Sequence, residues 1–406
     1  MNHFSILRYA LLSGIITINV TLVSAQSFIT EGKWRGVFHQ PNGTDVPFNF
    51  EVHGKSAAAA KIYLLNGEER FETGQPVQKA DSLFIPFDQF DTELAFKAGD
   101  KQLSGFFRKK DHTGRTIPVD ATFGQLYRFD EKGEKPAGDI SGKYDFTFKS
   151  ENGKEDKAVG LFNQKGNKLY ATFMRVTGDS RFLEGVVTGN QFFLSAFIGG
   201  GVAYHTGTFD NTGQLTGKNF TGVKNPEAAL PDPYALTYLK EGYKTFDFSL
   251  PGVDGEKVSL KDDKYKNKVV IVTIGGTWCP NCMDEAGFMA PWYKKNKNRG
   301  VEVIGVQFER KADPAYVKNA MENFKKRFGI EYTEVFGGLA DKKAVAESFP
   351  ALNTFLSFPT ILFIDKKGNV DKIYTGFTGP ATGQYYTTFI KEFNGEVDKL
   401  LGQPAS

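Results

Sequence analysis

Two cysteines three residues apart, at the end of an apolar run, constrain this chain more than any other feature of its sequence. The run from Lys268 to Ile274 is almost wholly apolar, which is typical of a central strand buried on both faces. It ends in Gly-Gly-Thr-Trp-Cys-Pro-Asn-Cys, within which we expect a helix to begin. Because Cys279 and Cys282 are the only 2 cysteines among 406 residues, a framework of several disulfides is excluded.

Strands and helices alternate around this motif, from about residue 245 to the carboxyl end. The predicted elements are strands at 245–250, 257–260, 268–274, 301–308, 331–336, 359–364 and 370–374, and helices at 280–292, 313–328, 341–349 and 384–401. The order is βαβ followed by a ββα hairpin unit. The cysteine pair lies where the first core strand meets its helix, so this part is expected to form an α/β domain.

The amino-terminal half has a different pattern. Segments such as 33–38 and 168–173 alternate apolar and polar residues and are bounded by Gly and Asn, which predicts antiparallel strands. No long helical period occurs between residues 28 and 222. The fold class expected for the whole chain is therefore multi-domain α+β, with an all-β antiparallel domain followed by the α/β domain.

Short motifs of the β-rich half recur at an offset near 110 residues. The matched pairs are 32–34 with 142–144, 70–72 with 181–184, 81–85 with 189–193, and 103–105 with 215–217. Chance matching of strand and turn residues is the alternative, but one register covers all four pairs. We therefore expect an internal duplication, with repeats at about 28–125 and 139–224, each a half-barrel, a small barrel or one sheet of a sandwich.

Composition changes mark the remaining boundaries. Residues 225–233 hold three prolines, which predicts an extended linker. The expected organisation is a leader at 1–25, the β-rich domain at 26–224, the linker at 225–234 and the α/β domain at 235–406.

The first residues have the pattern of an export signal. Arg8 precedes an apolar stretch from Ala10 to about Val23, and small residues before Gln26 suit a signal peptidase. A transmembrane anchor is the alternative, but the stretch is short for a span and contains polar residues. We expect cleavage and a soluble mature protein in the periplasm or cell envelope, where disulfides form.

Several segments of the α/β part resemble the thioredoxin superfamily, and within it the exported TlpA/ResA-like branch. The resemblance covers only the carboxy-terminal two-fifths of the chain and depends on 246–250, 269–272, Trp278-Cys279-Pro280-Asn281-Cys282, Glu285 and Phe358-Pro359-Thr360. It implies a thioredoxin-like domain that exchanges disulfides with partner proteins.

Helix chemistry assigns different roles to the two cysteines. A thiolate is the attacking species, and the unpaired N–H groups and positive dipole at a helix start stabilise it. We therefore expect Cys279 to be the nucleophile and Cys282, one turn into the helix and less exposed, to be the resolving thiol. Trp278, Pro280 and Asn281 complete the motif.

The cysteine pair has two other interpretations. A structural zinc site needs four ligands, and the histidines that follow the leader all lie in the β-rich half without pairing at i+3 or i+4. An inert disulfide is the simpler alternative, which Trp278 and the strand-to-helix position argue against. We expect no metal and no cofactor.

The resemblance implies a cis bond between Phe358 and Pro359, facing the cysteines, with Thr360 opening the next strand. A trans proline at the start of an edge strand is the alternative. In TlpA/ResA-like proteins an acid at the position of Glu285 lies beside the thiols, where it could accept the Cys282 proton. The simpler interpretation of Glu285 is an exposed first-turn acid that favours the helix dipole.

The sequence departs from thioredoxins beside the motif. Thr273 stands where they keep a buried Asp, and Gly275 and Gly287 replace an aromatic residue and a proline. These departures suit a specialised partner. The pair Pro280-Asn281 carries neither charge nor His, which favours a reductant over an oxidant. Gly275 also replaces the Thr of peroxiredoxins, so a peroxidase is not expected.

The function expected is therefore an exported thiol–disulfide oxidoreductase acting on protein dithiols and disulfides, a role compatible with an upstream membrane electron donor. The alternative is a cell-envelope binding protein in which alternating Phe and Tyr of the β domain line a ligand cavity, although such alternation more often fills a core. A net charge of only +3 argues against nucleic acid as a partner.

Overall fold

The computed structural model describes residues 29–97 and 99–404, so the expected leader lies outside the described residues. Two large antiparallel sheets are followed by a mixed sheet flanked by helices. This confirms the expected fold class, an all-β amino-terminal region followed by a thioredoxin-like α/β domain. No helix in these residues has the length and apolar character needed to traverse a bilayer.

Within the described residues the first sheet has nine strands: β1 (Gly32–His39), β2 (Asp45–His53), β3 (Lys61–Asn66), β4 (Glu69–Glu72), β5 (Val77–Lys79), β6 (Ser82–Phe87), β7 (Thr92–Lys97), β8 (Gln102–Lys109) and β9 (Ile117–Phe123). Their order is β4-β3-β2-β1-β9-β8-β7-β6-β5. Backbone hydrogen bonds from Thr73 to Ile62 and from Gly74 to Pro86 lie where β4 passes into β5. The sheet is therefore an antiparallel meander whose two edge strands, β4 and β5, lie close to each other.

The second sheet also has nine strands in the described residues: β10 (Gly142–Lys149), β11 (Glu155–Lys165), β12 (Lys168–Arg175), β13 (Gly178–Asp179), β14 (Leu183–Thr188), β15 (Gln191–Phe197), β16 (Val202–Phe209), β17 (Leu215–Gly217) and β18 (Phe220–Lys224). Its order is β11-β10-β18-β17-β16-β15-β14-β12-β13, and β11 also pairs with β12. That last pairing closes the ladder into a barrel.

The two sheets begin in the same way. Gly32 and Gly142 have φ of 126° and 135°, a region that favours glycine. Two residues later, the Trp34 indole N–H donates to the Thr30 carbonyl at 2.9 Å, and the Tyr144 hydroxyl donates to the Ile140 carbonyl at 3.0 Å. This shared local structure supports the duplication, which we retain as a proposal.

Aromatic side chains fill the interior of the second barrel. The buried rings include Tyr144, Phe146, Phe162, Phe173 and Phe192, which contact one another edge-on, tilted or stacked. The alternation of Phe and Tyr along the strands therefore reflects a packed core.

The two sheets share a boundary that is largely buried. Phe197 of β15 packs against Phe38, Phe48 and Phe87 of the first sheet. Arg128, 3% exposed, donates to the carbonyl of Ser195 at 2.8 Å. A side chain of one sheet thus belongs to the core of the other, and the two are expected to behave as one body.

The sequence predicts that the proline-rich segment is extended, but the structure shows a turn within it. Asn225 accepts a hydrogen bond from the backbone of Glu227 at 2.9 Å, and the Ala228 N–H reaches the Asn225 carbonyl at 3.1 Å, which makes a turn. Ala228 is then buried against Val159 and Met174 of the second barrel. Local Asn chemistry and packing outweigh the proline preference here.

The α/β part contains β19 (Ser249–Pro251), β20 (Lys257–Ser259), β21 (Val269–Gly275), α1 (Pro280–Asn296), β22 (Val301–Glu309), α2 (Pro314–Phe328), β23 (Thr333–Leu339), α3 (Lys342–Ser348), β24 (Thr360–Ile364), β25 (Val370–Thr375) and α4 (Gln384–Gly402). The main sheet has the order β23-β22-β21-β24-β25, with β24 antiparallel to β21. All seven residues of β21 are buried, as predicted for the central strand.

Two predicted strands differ from the structure. The prediction of a strand at 245–250 was wrong, since only β19 forms and Thr245 makes one isolated bridge to Asn369. Phe246 and Phe248 are buried without a ladder, so their alternation reflects packing of an irregular segment. The strand predicted at 331–336 lies two residues later, in β23.

Candidate active site

The cysteine pair lies where β21 passes into α1. Cys279 is the N-cap residue of α1, and its sulfur accepts a hydrogen bond from the Cys282 N–H at 3.2 Å. Pro280 occupies the first helical turn, where its missing N–H costs nothing. The two cysteines form a disulfide, with Cα atoms 5.2 Å apart. The helix start therefore directs its free N–H groups toward the sulfur expected to become the thiolate.

The loop that leads into β24, the strand paired with β21, faces this disulfide. The bond between Phe358 and Pro359 is cis, as the resemblance implies. The Phe358 carbonyl oxygen is 3.6 Å from the Cys279 sulfur, and Thr360 begins β24 directly afterwards. The Trp278 ring contacts that of Phe358 edge-on at 5.7 Å. The structure thus brings together all the residues of the predicted motif.

Neither sulfur is open to solvent as a nucleophile should be. Cys279 is 5% exposed and Cys282 is 2% exposed, so their order agrees with the prediction but both are buried. A segment of the second barrel, residues 176–181, contacts residues on both sides of the disulfide, and we call it the covering segment. The carbonyl of Thr177 accepts from the Ser357 hydroxyl at 2.7 Å, and the carbonyl of Asp179 accepts from the Asn281 amide at 3.2 Å.

A charged cluster joins the covering segment to α1. The Arg181 guanidinium donates to the Pro280 carbonyl at 2.7 Å, forms an ion pair with Asp284 at 2.7 Å, and forms another with Glu69 of β4. The Asp179 carboxylate accepts from the Gly379 N–H at 2.6 Å. Burial, together with the neighbouring carboxylates, raises the pKa of Asp284 to about 7 despite Arg181. One arginine therefore links both sheets to the helix that carries the cysteines.

Glu285 lies on the inner side of α1, one turn after Cys282. It is 4% exposed, which rules out the interpretation of Glu285 as an exposed first-turn acid. Burial, and then the charge of Glu334, raises its pKa well above the usual range. Burial likewise raises the pKa of Glu334 to about 8. Burial therefore favours the protonated form of both carboxyl groups.

A third buried acid supports the turn before the motif. Glu309, at the end of β22, accepts hydrogen bonds from the N–H and the hydroxyl of Thr277 at 3.1 and 3.0 Å. Burial raises the pKa of Glu309 to about 7, although both hydrogen bonds lower it. Glu309 thus fixes the backbone that leads into Trp278.

The site has room for a ligand group beside the motif. A cavity of about 300 Å³ opens between the two sheets and the α/β domain, and its walls include Phe90, Phe182, Phe197, Trp278 and Asn281. Among residues 29–97 and 99–404, no three His, Cys, Asp or Glu side chains are grouped as a metal site requires.

The sequence analysis did not identify several residues of the site. Gln307, Glu309 and Glu334 are polar residues within buried strands, and that contrast is a signal that could have identified them. Arg181 and Glu69 carry no local signal, because their partners are distant in the sequence.

The fold and the site define a class: a thioredoxin-type domain with a CxxC pair at a helix start opposite a cis-proline loop. The AhpC/TSA family profile matches residues 242–373. The thiol-disulfide oxidoreductase ResA of Bacillus subtilis (strain 168) is 29% identical over 153 residues, 38% of this chain and 77% of the relative. ResA of Geobacillus kaustophilus (strain HTA426) is 32% identical over 142 residues, 34% of this chain and 72% of the relative.

Among solved structures, a putative thiol:disulfide interchange protein DsbE from Chlorobium tepidum is 26% identical, with a TM-score of 0.32. The match covers 41% of this chain and 100% of that protein. The sequence relatives cover only the carboxy-terminal part of this chain. On their evidence, the chain belongs through this domain to the ResA-like thiol–disulfide oxidoreductases.

Proposed function

We propose that the protein is an exported oxidoreductase that reduces disulfides of partner proteins through a mixed disulfide at Cys279, with Cys282 as the resolving thiol. The observation that carries the proposal is the position of the Cys279 sulfur at the N-cap of α1, 3.6 Å from the Phe358 carbonyl. The ResA relatives, which are named as thiol–disulfide oxidoreductases, support it.

The proposed reaction balances as two exchanges. The Cys279 thiolate attacks one sulfur of the partner disulfide, whose S–S bond breaks and releases a partner thiolate. Cys282 then gives its proton to the Glu285 carboxylate and attacks the Cys279 sulfur. The Cys279–Cys282 bond forms, the mixed disulfide breaks, and the second partner sulfur leaves with the electron pair. A raised pKa of Glu285 is consistent with a carboxyl that holds this proton in the oxidised protein.

The proposal also includes that the protein acts as a reductant and that it is exported. The uncharged Pro280-Asn281 pair favours a reductant. The basic and apolar start of the sequence, with small residues before Gln26, favours export to the periplasm or cell envelope. A reductant in an oxidising compartment needs a thiol donor to reload it, and a membrane-bound donor would supply one.

We further propose that the β-rich domain, with boundaries near 26–224, controls access to the cysteines. The covering segment contacts Pro280, Asn281 and Ser357, and these contacts surround a nucleophile that is 5% exposed. A partner must displace this segment before its sulfur can reach Cys279.

The reaction is tested with two cysteine variants of the full chain. Cys279→Ser should abolish dithiol-dependent reduction of a model protein disulfide, because the attacking sulfur is removed. Cys282→Ala should leave a mixed disulfide unresolved, detectable as a covalent adduct on a non-reducing gel. Full activity of Cys279→Ser would overturn the proposal, and the adduct would identify the partner.

A further inference from the structure

Three unpaired polar atoms gather behind the cysteine pair. Within the described residues, the buried side-chain atoms without a hydrogen-bond partner are Oγ1 of Thr172, Oε1 of Glu285, Oε1 of Gln307 and Oε2 of Glu334. Three of these four belong to one cluster in the α/β domain. A buried polar atom left unpaired costs roughly 1–3 kcal/mol, so such a concentration points to ordered water between the groups.

The cluster begins beside Cys282. Gln307 pairs with Gly275 across β21 and β22. A Cβ at Gly275 would lie 3.4 Å from the Cys282 sulfur and 3.5 Å from Oε1 of Gln307. The glycine therefore leaves a space that both groups face, and the unpaired oxygen of Gln307 lies at its edge.

The cluster continues from Gln307 to Glu334. The Gln307 amide donates to Oε1 of Glu334 at 3.0 Å and leaves Oε2 free for a second partner. A Cβ at Gly305 would lie only 2.6 Å from Oε1 of Glu334, so the absence of a side chain there admits the carboxyl. The amide thus fixes the orientation of Glu334 toward the interior.

Glu334 also reaches the far side of the domain. It lines a cavity of about 460 Å³ together with Asp254, Lys318, Glu322 and Lys325, and no residue of the covering segment belongs to that lining. The cavity beside the cysteines is lined in part by the covering segment, whereas this cavity is not. A proton that moves to or from Cys282 therefore has an exit that remains available while the covering segment is in place.

We propose that Glu334, oriented by Gln307, is a positioning residue that connects Glu285 to solvent and completes a proton path from Cys282 to the surface cavity. The inference rests on the proposed function. When a donor thiolate attacks Cys279, the Cys279–Cys282 bond breaks and Cys282 leaves as a thiolate. Glu285 gives it a proton and becomes a carboxylate, Glu334 reprotonates Glu285 through water, and solvent reprotonates Glu334. The electron pair stays on Cys282 as a thiol, and the donor sulfur forms the new bond.

The groups around the path agree with this sequence of transfers. Burial raises the pKa of Glu334 to about 8, and Lys325 and Glu309 act on it in opposite directions. The pKa of Glu285 is shifted in the same direction, since burial and the charge of Glu334 raise it well above the usual range. Burial also raises the pKa of Tyr332, which faces both acids and stays neutral. Burial therefore favours the protonated form of both carboxyls at the start of the reaction.

Glu334→Gln tests the path because it keeps the shape and removes the exchangeable carboxyl proton. We measure the rate at which dithiothreitol reduces the disulfide of the full chain, between pH 5 and 9, by Trp278 fluorescence. The rate near pH 7 should fall by about tenfold, below the roughly 10²-fold or more that a positioned acid supplies, and the pH profile should lose one inflection. Glu285→Gln should fall further, and Glu334→Asp should recover part of the rate.

The matched control is Glu322→Gln, which lines the same cavity but makes no contact with Gln307, and its profile should match the wild type. Infrared difference spectra between oxidised and reduced protein should lose one protonated-carboxyl band in Glu334→Gln. A wild-type pH profile together with an unchanged infrared spectrum would overturn the inference. Loss of activity in Cys279→Ser would stand regardless, so failure of the path is distinguishable from failure of the proposed function.

Discussion

At the scale of single residues, the site contains buried acids whose pKa is raised by burial. Glu309 receives two hydrogen bonds from Thr277 and is fully buried at the end of β22. Its folded pKa of about 7 exceeds the ordinary value of 4.5. The folded protein therefore holds a proton on Glu309 that the unfolded chain releases between about pH 4.5 and 7. Stability from this group is fully present below pH 4.5 and is lost as the pH rises to 7.

Glu309→Gln should remove this dependence, because the amide is neutral at every pH and can still pair with Thr277. We expect the free energy of unfolding of the wild type to fall by about 2–3 kcal/mol more than that of the variant between pH 5 and 8. Urea unfolding at several pH values measures it. Glu151→Gln, at an exposed loop position, should leave the wild-type slope intact, and an identical slope in Glu309→Gln would contradict the assignment.

At the scale of elements, the covering segment contacts the start of α1 and the proline loop beside it. Its backbone carbonyls accept hydrogen bonds from Ser357 and Asn281, and Arg181 fastens it to the helix through Pro280 and Asp284. Removing one partner of a buried ion pair costs roughly 3–5 kcal/mol, because the remaining charge loses its compensation. Arg181 therefore holds the segment far more firmly than the two carbonyl contacts do.

Arg181→Ala should release the segment and expose the cysteines. In the full chain, the rate of disulfide reduction by dithiothreitol should rise by about tenfold, as should alkylation of the reduced pair, since part of the roughly 3–5 kcal/mol holding the segment is lost. Arg108→Ala, which removes an ion pair with Glu93 in the first sheet, serves as the control. Asn281→Ala should give a smaller increase, and unchanged rates in both variants would sink the gating proposal.

The sequence predicted those elements whose signals are local. The bounds of α2 follow from Asp313, whose carboxylate accepts from the Tyr316 N–H, and from Pro314 at the first turn. The cysteine motif and the proline loop were likewise predicted from short segments. The strand at 245–250 was predicted wrongly, because alternation also arises when an irregular segment buries every second side chain. Arg181 was not found, since its role depends on a contact with Asp284, 103 positions later in the numbering.

At the scale of the whole molecule, the two sheets and the α/β domain are connected by buried side chains. The side chain of Phe197, a residue of the second barrel, contacts Phe38 and Phe107 in the first sheet. The first sheet in turn contacts α2, where the Tyr316 hydroxyl donates to Asp91 at 3.0 Å and the Arg327 guanidinium lies over the Phe71 ring. Contacts far from the cysteines thus also join the first sheet to the second barrel and to the α/β domain.

Phe197→Ala should destabilise both sheets together. We expect a loss of about 3–5 kcal/mol, as for a large aromatic side chain removed from a core. Hydrogen exchange of β2 amides, which belong to the other sheet, should accelerate in parallel with those of β15. Phe193→Ala, at a half-buried position of the same strand, should cost less and leave β2 protected. Normal protection of β2 in Phe197→Ala would show that the sheets are independent.

The Thr177 carbonyl, already hydrogen-bonded beside the proline loop, has a consequence for selectivity among clients. Because the covering segment belongs to the same chain as the cysteines, it competes with a client protein at a high effective concentration, in the millimolar range for short flexible linkers. This effective concentration does not depend on the abundance of free thiols in solution. Under the gating proposal, we expect a client that binds weakly to fail to exchange electrons even when its disulfide is easily reduced. Binding affinity, rather than ease of reduction, would then select the client before any sulfur is attacked.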